Sequence, residues 1–109
     1  MIKTVVDRLQ AEGVLFRRFE PFDLRHVGSR KRLRVFHGID ERQRYALVFF
    51  VRRKSRILQA DVREWLELKE RIEAYFGYAV WQNIAILQAP LCSRARALLE
   101  GEGWRLFSA

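Results

Sequence analysis

The sequence contains a single cysteine, Cys92, among its 109 residues. No disulfide can form within the chain, and no zinc site can be built from several thiolates. Such cysteine usage is typical of a reducing compartment, so we expect a cytoplasmic protein. Only two histidines are present, His26 and His37, which leaves few side chains for acid–base catalysis near neutral pH.

Long apolar stretches are also missing. The longest runs from Tyr45 to Val51, whereas a helix needs about 20 apolar residues to span a bilayer. Asp7 and Arg8 interrupt the apolar residues near the N-terminus, so we expect neither a signal peptide nor a membrane partner. No linker, repeat or low-complexity tract divides the chain, and residues 1–109 are therefore predicted to form one domain.

Hydrophobic periodicity predicts a small α/β fold. The clearest elements are a hairpin of strands 33–38 and 45–52 and a helix over 59–76, which Gly77 ends. The other predicted elements are helices at 2–12 and 93–100 and strands at Val14–Phe19 (closed by Pro21), 83–89 and 104–107. The element order αβββαβαβ predicts a mixed β-sheet with helices packed on it.

Positive charge is concentrated in residues 25–56, which we call the cationic segment. It holds eleven Lys and Arg against Asp40 and Glu41, a net charge of +9, whereas the whole chain has +8. Nine of these cations are arginines, whose guanidinium groups bind phosphate in a bidentate manner. The start of the first hairpin strand and the end of the second are neighbours in an antiparallel pair. We expect the following side chains to meet there and contact nucleic-acid phosphates: Arg30, Lys31, Arg32, Arg34, Arg52, Arg53, Lys54 and Arg56.

Two other features affect this interpretation of the charge. Phe22, Phe36 and Tyr45 lie between the cations and are able to stack on unpaired bases, although such residues more often fill a core. The alternative explanation is internal neutralisation, because the helix over 59–76 follows directly and carries an acid every three residues. Those acids are Asp61, Glu64, Glu67, Glu70 and Glu73.

A helix, a hairpin whose second strand is apolar and ends in basic residues, then a helix and a strand, resembles the core of the PD-(D/E)xK nuclease superfamily over about residues 33–89. The resemblance implies a restriction-endonuclease-like fold. It also implies an acid on the second strand and an acid-x-Lys on the third, which together bind a divalent metal that activates water.

The family's acids are missing from the matching positions. If the family's lysine corresponds to Arg52, its acid corresponds to Phe50, and if it corresponds to Lys54, its acid corresponds to Arg52. Asp40 is the one candidate for the first acid, and it lies in a predicted turn. The resemblance therefore implies a degenerate member with no metal site and no cofactor.

The sequence thus favours a nucleic-acid-binding domain, DNA or RNA, that is catalytically inactive. One alternative is a metal-dependent nuclease that uses an acid outside the motif, such as Glu20, Asp23 or Asp40. Another is a protein-interaction module or homo-oligomer, in which Tyr78, Val80 and Trp81 contact a partner.

Overall fold

A computed structural model describes residues 2–29, 31 and 33–108. Its helices are α1 (Ile2–Ala11), α2 (Gln59–Phe76) and α3 (Ser93–Gly101), and a short 3-10 helix spans Leu24–Val27. Its strands are β1 (Arg18–Phe22), β2 (Arg34–Ile39), β3 (Tyr45–Arg52), β4 (Gln82–Gln88) and β5 (Arg105–Ser108). This order along the chain confirms the predicted αβββαβαβ arrangement.

The five strands form one mixed sheet in the order β1-β2-β3-β4-β5. The first three are antiparallel, and β3, β4 and β5 are parallel to one another. The parallel pairings follow from the helices, because α2 and α3 each return the chain to the end of the sheet at which the next strand begins. The mixed sheet with helices packed on it is as expected.

Strand β3 lies in the middle of the sheet, and both of its faces are buried. Leu47, Phe49 and Val51 pack with α2 and α3 on one side of the sheet, which we call the α2 side. Val48 and Phe50 pack with α1 on the opposite side, the α1 side. Successive residues of a strand point to opposite faces, so the continuous apolar run from Tyr45 to Val51 serves two cores at once.

Helix α2 has the bounds that its sequence predicts. Its buried stripe is Val62, Trp65, Leu68 and Ile72, spaced so that one face meets the sheet. Gly77 ends the helix with a φ of 81°, a left-handed conformation that glycine adopts without steric cost. The Gly77 amide donates to the carbonyl oxygen of Glu73 at 2.8 Å.

The first strand lies later in the chain than Val14–Phe19, so that prediction was wrong. The Val14 amide donates to the carbonyl oxygen of Leu9 at 2.9 Å, so Val14 still belongs to the turn that closes α1. Pro21 lies inside β1 instead of closing it. It is tolerated because β1 is at the edge of the sheet, where an N–H on the outer side is not needed for pairing.

Among the described residues, no helix is both long enough and apolar enough to cross a bilayer.

Candidate nucleic-acid interface

The end of the sheet at which β2 begins and β3 and β4 end is called the rim here. Arg34 pairs with Phe50 in the β2–β3 ladder, and Arg52 lies two residues beyond Phe50. The hairpin therefore brings Arg34 and Arg52 to the same end of the sheet, as the antiparallel pairing requires. Arg30 and Arg32, which the sequence also assigns to this cluster, lie outside the described residues.

Two cations of the segment are bound by acids of α2. Lys31 forms an ion pair with Glu64, and an Arg53 guanidinium nitrogen lies 2.6 Å from a carboxylate oxygen of Asp61. The hydrogen bond from Arg53 holds the pKa of Asp61 below its ordinary value, and the amide of Leu58 also donates to this carboxylate. Internal neutralisation by α2, the alternative considered for the sequence, thus applies to part of the cationic segment.

Arg34 and Arg52 belong to the other side of the sheet. Phe50 packs in the α1-side core, and a residue directly opposite it or two positions away on the same strand shares that side. Both arginines are exposed. Among the described residues, neither of them forms an ion pair with an acid, and the same holds for exposed Lys54 and Arg56.

The residues at the positions of the nuclease motif do not include the acids that would bind a metal. Phe50 is buried in the α1-side core, and its cross-strand partner is Arg34. A cation site would need carboxylates here, because Mg²⁺ prefers hard oxygen ligands. In the part of the chain that the structure describes, no three His, Cys, Asp or Glu side chains come together as a metal site. The side chains at these positions therefore do not fit the metal that the resemblance implies.

Asp40 lies at the opposite end of the β2–β3 hairpin from Arg52. Its carboxylate accepts hydrogen bonds from the backbone amides of Arg42 and Arg44, both at 2.9 Å, and from Arg44 Nε at 2.8 Å. These bonds hold the pKa of Asp40 below its ordinary value, the amide of Arg44 contributing most. Asp40 therefore organises the turn between the two strands.

The other two acids considered for a nuclease have different neighbours. Asp23 is bound by Arg25 through two side-chain nitrogens and the backbone amide, which lowers the pKa of Asp23 to about 2. It lines a pocket of about 910 Å³ together with Arg34. Glu20 pairs with His37 in the β1–β2 ladder, on the opposite side of the sheet from Arg34.

The aromatic residues that lie between the cations contribute mainly to packing. Phe36 is only 2% exposed and belongs to the α1-side core. The Tyr45 ring stacks on that of Tyr78 with their centroids 3.9 Å apart, and Phe22 packs against Phe76. The core role considered for these residues thus holds for Phe36.

The segment between α2 and β4 is divided between packing and exposure. Tyr78 is held by its hydroxyl, 2.8 Å from His37 Nε2, as well as by Tyr45. Trp81 is 59% exposed, and the Arg44 guanidinium carbon lies 3.5 Å from its ring centroid. Of the residues proposed to contact a partner, Trp81 is the one that presents a large apolar surface.

The structure adds two arginines to the rim that the sequence did not associate with it. Arg63 of α2 and Arg94 of α3 line one surface pocket with Arg56. They lie outside the cationic segment, so a count of charge along the chain misses them. Arg63 lies near the start of the helix that follows β3, and Arg94 lies near the start of the helix that follows β4. The strand order would therefore have indicated that both lie at the rim.

Comparison with known proteins establishes the fold. No protein family matches the sequence, and no curated protein matches it either. The structure is similar to that of EndoMS in its apo form, with a TM-score of 0.62 and 19% identity over 99% of this chain and 45% of that one. It is also similar to a repair endonuclease from Pyrococcus abyssi, with a TM-score of 0.59 and 19% identity over 100% of this chain and 45% of that one.

A third similar structure is EndoMS in complex with double-stranded DNA, with a TM-score of 0.58 and 20% identity over 100% of this chain and 42% of that one. The chain thus spans less than half the length of these proteins. It has a restriction-endonuclease-like fold, which confirms the architecture that the resemblance implied.

Proposed function

We propose that this chain is a nucleic-acid-binding domain that contacts phosphates through the rim and carries no metal-dependent catalysis of its own. The observation that carries the proposal is the pair formed by Arg34 and Arg52. They lie on adjacent strands, share the α1 side, are exposed, and have no acid partner among the described residues. Two guanidinium groups so arranged match the charge of a phosphate backbone.

The division between the two sides of the sheet refines the proposed surface. Arg53 is bound to Asp61 and also donates to the carbonyl oxygen of Arg56 at 2.9 Å, so its side chain serves the loop before α2. Lys31 is bound to Glu64. We therefore assign phosphate contact to Arg34, Arg52 and Lys54, with Arg56 at the adjacent end of α2.

Similarity of fold lends further support. One of the similar solved proteins is in complex with double-stranded DNA, and this fold presents the ends of its central strands at an exposed rim. Fold alone does not fix function, and the exposed arginines of the rim are what supports phosphate binding. The acid positions of the nuclease motif hold Phe50 or Arg52, and a cationic side chain there attracts a phosphate where a carboxylate would attract a metal.

A matched pair of double variants tests the proposal. Arg34→Ala with Arg52→Ala removes two charges from the rim. Arg17→Ala with Arg42→Ala removes two charges from exposed arginines elsewhere, neither of which forms an ion pair within the described residues. Fluorescence anisotropy with labelled DNA and RNA, repeated over a range of salt concentrations, measures affinity and its salt dependence.

We expect the rim variant to weaken binding to all sequences alike and to reduce the slope of log K against log salt by about 2, since each lost phosphate contact lowers it by about 1. The control variant should lose only the long-range attraction of two charges. Equal losses in the two variants would reject the rim as the binding surface.

The interaction alternative depends on Trp81. Its exposed ring lines a groove of about 370 Å³ with Leu15, which is 55% exposed. Tryptophan and arginine are enriched at protein interfaces, and the exposed leucine adds apolar area beside them. Sedimentation at two concentrations, with Trp81→Ala as the comparison, decides whether this surface supports a homo-oligomer.

A further inference from the structure

Three arginines converge on one pocket at the rim. It has a volume of about 510 Å³, and Arg56, Arg63 and Arg94 contribute the charged side chains of its lining, which includes no aspartate or glutamate. All three arginines are exposed, and none forms an ion pair among the described residues. We call this the rim pocket. Uncompensated charge of this density has a cost in self-repulsion that a bound anion removes.

The backbone around the rim pocket is fixed before any ligand arrives. The loop after β3 and the loop after β4 are joined by a parallel bridge between Ile57 and Leu91. The Ile57 amide donates to the carbonyl oxygen of Pro90 at 2.8 Å, and the Cys92 amide donates to that of Ile57 at 3.1 Å. Because these bonds hold the two loops together, Arg56 and Arg94 are positioned without an ordering cost at the backbone.

The helices that follow both loops begin at the pocket. Gln59, the first residue of α2, and Ser93, the first of α3, belong to its lining. The first amides of a helix lack intrahelical acceptors, and the helix dipole is positive there. Asp61, the acid in the first turn of α2, is already bound by Arg53 and by the Leu58 amide. The positive ends of the two helices therefore add to the attraction that the three guanidinium groups exert on an anion.

We infer that the rim pocket binds a phosphate monoester, such as the terminal phosphate of a nucleic-acid strand. A monoester carries a charge of about −1.5 to −2 at pH 7 and has three free oxygens, whereas a backbone phosphodiester carries one charge and has two. Three arginines on different elements match the monoester better in charge and in number of acceptors. The inference that the pocket binds the end of a nucleic-acid strand rests on the proposed function. The inference that it binds a phosphate group does not.

Binding of end-labelled oligonucleotides tests the inference. A short strand is prepared with a 5′-phosphate, with a 3′-phosphate and with neither, and affinity is measured at pH 7.5 and pH 5. We expect the wild type to bind a phosphorylated strand about tenfold more tightly than the unphosphorylated one. The preference should shrink at pH 5, because a monoester then loses its second charge.

Four double variants separate the possibilities. Arg63→Ala with Arg94→Ala should abolish the preference for a phosphorylated end, whereas Arg17→Ala with Arg42→Ala should retain it. Arg34→Ala with Arg52→Ala should weaken all strands equally and keep the preference. Arg63→Lys with Arg94→Lys, which keeps both charges, should keep part of it, and a thermal melt of each variant checks that the fold is retained.

Titration of the wild type with inorganic phosphate, followed by NMR shifts of the Gln59 and Ser93 amides, tests the pocket without any strand. Saturable shifts with no nucleic-acid binding would support the pocket and reject the proposed function. If phosphate competes as well as either strand end, the ligand is the phosphate group itself. An absent preference for phosphorylated ends together with absent phosphate shifts, or a preference that survives loss of Arg63 and Arg94, would overturn the inference.

Discussion

The guanidinium group of Arg53 and the carboxylate of Asp61 lie 2.6 Å apart at the start of α2. The same carboxylate accepts the Leu58 amide at 2.8 Å, so it caps the helix and neutralises a cation at once. This contact divides the cationic segment, because Arg53 is bound on the α2 side while Arg52, its neighbour in sequence, is exposed with the α1-side residues.

Replacement of Asp61 by alanine should destabilise the fold by about 1 kcal/mol, the typical effect of losing a capping side chain. Asparagine, which keeps an acceptor for Leu58, should have a smaller effect. The folded-state pKa of Asp61 is below the ordinary 3.8, so its contribution is present above that pH and is lost as the pH falls through the folded-state pKa. Urea denaturation between pH 7 and pH 3 measures both effects.

Asp61→Asn should also tighten nucleic-acid binding, because it releases Arg53 and removes a negative charge beside the rim. Glu67→Gln is the matched control, since Glu67 pairs with Arg71 on an exposed face of the same helix. Salt-titrated anisotropy compares the two variants. An affinity gain of the same size in both would show that overall charge, and not the release of Arg53, is responsible.

Asp40 should matter for stability and not for nucleic-acid binding. Its carboxylate binds two backbone amides and the Arg44 side chain within the turn from β2 to β3. Asp40→Asn should lower the midpoint of urea denaturation, because the neutral amide loses the charge-assisted bond to Arg44, and should leave affinity for DNA unchanged. Incubation of DNA with Mg²⁺ or Mn²⁺ should give no cleavage by the wild type, and cleavage that Asp40→Asn abolishes would contradict this role.

Much of the fold could be predicted from the sequence because the strongest sequence patterns are local. The helix over 59–76 has an apolar stripe and a terminating glycine, and the run from Tyr45 to Val51 is apolar on both faces. The first strand was predicted too early in the chain because Val14 is apolar for a reason other than strand formation. It closes α1 and packs into the α1-side core, and only the pairing with β2 determines where the extended chain counts as a strand.

The candidate site was less accessible to sequence analysis because it depends on pairing across long separations. The antiparallel hairpin correctly indicated that Arg34 and Arg52 lie at one end of the sheet. Which cations α2 neutralises depends on how the helix folds back, and the spacing of its acids alone does not select Asp61 for Arg53. Arg63 and Arg94 join the rim only because two parallel strands end side by side.

Position 38 is occupied by a glycine because the ring of Phe16 leaves no room for a Cβ atom. A Cβ at position 38 would lie 2.8 Å from Phe16 Cδ1. The backbone conformation is not the reason, because the φ of Gly38 is not in the left-handed region. Gly38→Ala should therefore destabilise the fold by about 1–3 kcal/mol through overpacking. Phe16→Leu should recover part of this loss in the double variant. Chemical denaturation of the two single variants and the double variant measures the coupling, and additive effects would contradict a direct clash.

His37 should make stability sensitive to pH. Burial holds the pKa of His37 below its ordinary 6.5, partly opposed by the charge of Glu20, and the ring lies against Phe76 and is hydrogen-bonded to Tyr78. Because the unfolded chain binds the proton more readily, the contribution of His37 is complete above pH 6.5. It is lost as the pH falls from there through the folded-state pKa.

His37→Gln, which keeps a hydrogen-bonding group and does not titrate, should flatten the fall in melting temperature between about pH 7 and pH 5. His26→Gln is the control, because His26 is exposed and stacks only beside Phe22 and Tyr75. Thermal melts across this range compare the two variants with the wild type. If His26→Gln flattens the profile and His37→Gln does not, the pH dependence does not come from the half-buried imidazole of His37.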